Sequence, residues 1–139
     1  MFAQALVVLS PVFFLQSLKP DGAYQNNALA SIARGKKVYT EQCLACHMAD
    51  GTGVPGMNPP LIKTRFVLGD KIKLVQLTLK GMSGEVDIDG SVYHNTMASH
   101  AELTDLQIAD VLTYIRNSFG NKAKTITAAE VKGIRANTR

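Results

Sequence analysis

The sequence predicts a mostly α-helical domain carrying one small β-hairpin. Three observations support this. Apolar residues recur at helical spacing in three stretches, each opened by a residue that caps helices well. One short segment alternates instead, around the turn pair Asp89-Gly90. The 139 residues suffice for one hydrophobic core, and no internal repeat divides them.

The elements follow in chain order. Residues 1–15 are almost wholly apolar and uncharged, shorter than a spanning helix needs and interrupted by Pro11. They read as an export signal without a basic start, with cleavage expected near Ala23. Asn26 or Asn27 is placed to cap a first helix starting near Ala28, with Leu29, Ile32, Gly35, Lys36 and Tyr39 on one face. Residues 49–60, rich in Gly and Pro, read as loop. Asp70 caps a second helix with Ile72, Val75 and Leu79 in register and Gly81 past its end. Val86 and Ile88 approach the Asp89-Gly90 turn and Val92 follows it, giving the hairpin. The third helix is the best specified. Thr104 and Gln107 form a capping box, and Leu103 and Ile108 stand at staple positions. Ile108, Val111, Leu112, Ile115 and Phe119 make an apolar stripe, and Gly120 is the expected stop. The predicted organisation is a leader or short apolar segment over 1–23, one domain over 24–120 and a basic tail over 121–139.

The net charge is +4, and the tail concentrates it: Lys122, Lys124, Lys132, Arg135 and Arg139 stand against Glu130 alone. Such a run can steer an acidic partner, but it reads first as a solvated terminus. Basic residues are not interleaved with aromatics on one face, so nucleic-acid binding is a poor fit.

The chemistry lies in Cys43-Leu44-Ala45-Cys46-His47, which holds the only two cysteines of the chain. Cys-x-x-Cys-His is the attachment signature of a c-type haem. Two thiols can add to the two vinyl groups of one porphyrin. On a helical turn they share a face with the histidine, whose imidazole can ligate the iron. A zinc site would want four ligands, and no second cysteine pair exists. A thioredoxin-like pair should follow a buried strand, and none is predicted before Cys43. One covalent haem c is therefore expected, with His47 as one iron ligand.

An electron-carrying haem usually has a second protein ligand. The candidates are Met48, Met57, Met82, Met97, His94 and His100. Met48 adjoins His47 and cannot cross the ring. Met57 belongs to the loop on the His47 side, and Met82 sits at a helix end. Met97 lies in an extended stretch long enough to pass over the opposite face, with His100 three residues on. A thioether stabilises ferrous iron and raises the potential relative to two imidazoles.

At this point the chain resembles the class I monohaem c-type cytochromes of bacteria, from about Ala28 to Gly120. In that family a Gly and, four residues later, an aromatic precede the haem string, as Gly35 and Tyr39 precede Cys43. A Pro-x-Leu follows the haem histidine by twelve residues, matched by Pro59-Pro60-Leu61. The axial methionine precedes an aromatic of the last helix by seventeen residues, as Met97 precedes Tyr114. The segments Leu103-Thr104-Asp105 and Val111-Leu112-Thr113-Tyr114-Ile115-Arg116-Asn117-Ser118 resemble the same family. Ala98 and His100 depart from it, where Pro and an apolar or aromatic residue are usual.

The resemblance implies a cytochrome c fold, three to four helices around one covalent haem, with the hairpin before the axial methionine. It implies His47 and Met97 as iron ligands and the Pro59 carbonyl as acceptor of the His47 Nδ1–H. It implies a periplasmic single-electron carrier rather than an enzyme, exported or loosely membrane-associated through its N-terminal segment, with no membrane span when mature. The hairpin and residues 127–131 look like cytochromes serving quinoprotein dehydrogenases or copper nitrite reductases, and a terminal oxidase is a further possible partner. The alternatives are a haem protein with a labile ligand that binds small molecules or reduces peroxide, and a cytochrome subunit permanently docked in a larger complex.

Overall fold

Helix-forming residues run without proline from Asp21 to Gln42, and in the computed structural model, which describes residues 21–138, that whole stretch is one helix, α1 (Asp21–Gln42). The expected start near Ala28 is thus seven residues late: the helix continues through Asn26 and Asn27 instead of being capped by them. The predicted 23/24 boundary falls inside it, while the apolar run 1–15 lies outside the described residues. The inward face is Gly35, Val38 and Tyr39, with Leu29 65% exposed and Lys36 at the surface.

Two single turns follow, α2 (Leu44–His47) and α3 (Arg65–Leu68), the latter capped by the Thr64 hydroxyl. Asp70 caps α4 (Lys71–Lys80), its carboxylate accepting from Ile72 N at 2.7 Å, and Gly81 (φ 72°) ends the helix. Leu74, Val75, Thr78 and Leu79 are its buried side, whereas Ile72 is exposed. β1 (Val86–Ile88) and β2 (Ser91–Tyr93) pair antiparallel with Ile88 opposite Ser91. Asp89 and Gly90 both have positive φ (54° and 87°), as the two-residue turn requires. α5 (Asp105–Arg116) carries the predicted Thr104–Gln107 capping box and buries Ile108, Val111, Leu112 and Ile115. It ends four residues before Gly120, and Phe119 lies beyond it against Tyr39 and Tyr114.

The crossing of α1 over α5 organises the core. A methyl group on Gly35 would lie 2.0 Å from the Asp110 carbonyl oxygen, so only glycine admits this approach. The Asp110 carboxylate locks the crossing. It accepts Arg34 Nε at 2.6 Å, Arg34 Nη2 at 2.8 Å and Ser31 Oγ at 2.6 Å.

The basic tail is the main departure from expectation. Residues 121–138 fold back as part of the domain, through α6 (Ala128–Ala136). Thr127 and Glu130 form a second capping box. Ile126 and Val131 are 3% and 0% exposed. Arg135 is committed internally, to Asp105 at 2.7 Å and to the carbonyls of Ala101 and Leu103. Burial of two apolar anchors outweighs the solvation that a charge run favours.

Candidate haem site

α1 delivers the Cys43-to-His47 string. Cys43 N bonds Tyr39 O at 2.9 Å, and the next turn closes on Cys43 O through Cys46 N and His47 N. Tyr39, 2% exposed, braces this turn: its hydroxyl donates to Met48 O at 2.6 Å and its ring packs on Tyr114 and Phe119. Neither cysteine is in a disulfide. Cys43, Cys46 and His47 open onto one largely apolar cavity, floored by Val67, Leu74, Leu77, Val111, Leu112 and Ile115.

His47 Nδ1–H donates to the Pro59 carbonyl at 2.9 Å, so Nε2 is the nitrogen left free. Burial, reinforced by His100 and opposed by the Pro59 bond, holds this imidazole below its ordinary pKa, in the neutral form that ligates metal. Burial and the neighbouring Cys46 push the Cys43 thiol up to about 11. A dithiol redox couple needs a lowered pKa instead, so the string does not suit that chemistry. Among the described residues no cluster of three His, Cys, Asp or Glu is placed to hold a metal ion.

Residues 95–98 and His100 line the same cavity. Met97 pairs with Met82 through two backbone bonds, Met82 N to Met97 O at 2.9 Å and Met97 N to Met82 O at 2.8 Å. Ser99 Oγ donates to Leu79 O at 2.6 Å and His100 N to Thr78 O at 3.0 Å. The segment thus occupies the carbonyls that the end of α4 leaves unpaired. Of the six candidates for the second ligand, Met82, Met97 and His100 line the cavity. Met48, Met57 and His94 do not, and the latter two are largely exposed.

Two structural residues were not anticipated. Arg116 is 4% exposed, with Nη1 donating to Val67 O and Gly69 O and Nε to Lys124 O. Asn121 ties Leu61 and Ile115 to the backbone of Lys63. The sequence signal for both is faint: a polar residue within or beside an apolar run, with no local partner.

An apolar cavity lined by two thiols, an imidazole with a free nitrogen and two thioethers fits a covalently bound porphyrin. Fold and site together define a haem-bearing electron-transfer protein. The sequence profile described as cytochrome c matches residues 32–119. Cytochrome c-552 of Thermus thermophilus is 37% identical over 113 residues, covering 75% of this chain and 86% of that one. The gluconate 2-dehydrogenase cytochrome c subunit of Pantoea cypripedii is 35% identical over 73% of this chain but only 24% of its own length. A cbb3-type cytochrome c oxidase subunit, CcoP, of Azospirillum brasilense is 33% identical over 67% of this chain and 30% of its own. The chain belongs to the cytochrome c family, with haem c as its covalent cofactor and electron transfer as its function.

Proposed function

We propose that this protein is a single-electron carrier in which Cys43 and Cys46 hold the haem by thioether bonds and His47 and Met97 ligate the iron from opposite faces. Bound there, the haem supplies a one-electron couple. The chain's residues hold that couple still. Pro59 fixes the His47 ring, the Met82–Met97 pairing fixes the Met97 backbone, and the apolar floor keeps water away. The observation that carries the reading is the His47–Pro59 bond, which leaves Nε2 free in the cavity that Met97 also lines. Met97 is preferred to Met82 on its spacing to Tyr114.

The ferric protein is expected to have a sulfur-to-iron charge-transfer band, and Met97→Ala to lose it while Met82→Ala keeps it. An unchanged spectrum in Met97→Ala contradicts the ligand assignment. Reduced protein is expected to refuse carbon monoxide. Rapid binding favours the rival reading, a small-ligand or peroxide-reducing haem protein.

Substrate chemistry is assigned to partners rather than to this chain. The names of the relatives favour a dehydrogenase as donor and an oxidase as acceptor. They equally favour a permanently docked subunit, which sizing in a native extract tests: a stable large complex rules out a diffusing shuttle. Residues 1–23 are proposed to direct export to the periplasm, supported by the uncharged apolar run 1–15. Among the described residues no helix is long and apolar enough to cross a membrane.

A further inference from the structure

His100 is a cavity-lining imidazole to which the carrier reading assigns no role. Its side chain is 14% exposed, and it lines the same cavity as His47 and Met97. Its backbone is pinned on both sides, His100 N to Thr78 O at 3.0 Å and Leu103 N to His100 O at 3.2 Å. Its Nδ1 faces the Glu102 carboxylate at 3.6 Å, beyond hydrogen-bond length. Nε2 is left without a carboxylate, as at His47, where the Pro59 carbonyl takes Nδ1. Between Met97 and His100 stand only Ala98 and Ser99, so no proline ring stiffens the intervening backbone.

We propose that His100 is a latent iron ligand on the Met97 wall: when the Met97 thioether leaves, the His100 imidazole takes its place. This deepens the carrier reading and rests on its assignment of His47 and Met97. In the exchange the sulfur–iron coordinate bond breaks and a nitrogen–iron bond forms from the imidazole lone pair. The oxidation state of the iron does not change. Any proton on that nitrogen goes to solvent. Thioether release would then leave a closed, low-potential, bis-imidazole state rather than an open iron.

The test uses holoprotein, read by ferric absorption and electron paramagnetic resonance and by carbon monoxide binding after reduction. Met97→Ala is expected to lose the charge-transfer band yet stay low-spin and slow to bind carbon monoxide. Met97→Ala/His100→Ala is expected to turn high-spin and bind carbon monoxide fast, with added imidazole restoring the low-spin state. Met97→Ala/His94→Ala should behave as Met97→Ala. The proposal is overturned if Met97→Ala alone is high-spin, if removing His94 rather than His100 opens the iron, or if the His100 double variant stays low-spin. Retention of the sulfur band in Met97→Ala would assign the wall to Met82, and its absence from the wild type would remove the carrier's ligand set; both are read separately from the His100 comparison and both overturn a latent role. Should Met97→Ala not mature, denaturant that releases the thioether serves instead: wild type should stay low-spin and His100→Ala should not, and the reverse overturns the assignment.

Discussion

A methyl group on Gly81 would stand 2.4 Å from the carbonyl oxygen of Met97, so the two backbones touch where the chain leaves α4. Gly81 also has φ 72°, a region that other L-residues enter at a cost. One glycine therefore ends the helix and lets the Met97 segment lie against that end. Gly81→Ala should lose about 2 kcal/mol or more in stability and loosen Met97. Thermal unfolding and the ferric sulfur band measure these together. A variant with normal stability and an intact band would show that the contact positions nothing.

The α1–α5 crossing makes a sharper prediction. Alanine usually improves a helix interior by about 1 kcal/mol over glycine. At Gly35 the collision with the Asp110 carbonyl opposes that gain, and the collision should win, with a net loss of about 3 kcal/mol. Chemical denaturation of the Gly35→Ala holoprotein gives the number; a gain in stability contradicts the observed packing.

The C-terminal segment should behave as core. Val131→Ala removes a fully buried side chain and should cost about 2 kcal/mol, and ending the chain after Asn121 should cost more. Unfolding curves unchanged by either alteration would restore the picture of a solvated tail.

This segment also shows where the sequence was hard to read. α4 and α5 could be recognised because Asp70, Thr104 and Gln107 act on backbone two or three residues away, a range that spacing alone reports. The same box at Thr127 and Glu130 was legible in principle, but the surrounding lysines and arginines read as a hydrated run. Their tertiary partners, Asp105 for Arg135 among them, lie some 30 residues away. At the site, Cys43, Cys46 and His47 stood out because two thiols and an imidazole on one turn are a local pattern. The pairing of Met97 with Met82, and the entry of His100 into the cavity, depend on how the loop closes on α4. Spacing could nominate those residues but could not bring them together.

Glu130 links the tail to acid stability. Burial opposes its ionisation, but bonds from Lys71 at 2.9 Å and from Thr127 outweigh burial and hold it below the ordinary 4.5. A folded pKa below the unfolded one contributes stability above about 4.5, and that contribution is lost as pH falls through the folded value. Glu130 is partly exposed, so the pair with Lys71 contributes no more than about 1 kcal/mol. Glu130→Gln should melt lower than wild type at neutral pH, and the two curves should converge below 4.5. A gap that widens on acidification would reverse the sign.

The attachment of the cofactor at Cys43 and Cys46 is tested most directly by the mass of the purified coloured protein under denaturing conditions. The expected result is one haem added to every chain, resistant to acidified acetone and recovered on the peptide that holds both cysteines. A chain of apoprotein mass, with its pigment left in the organic layer, would contradict it.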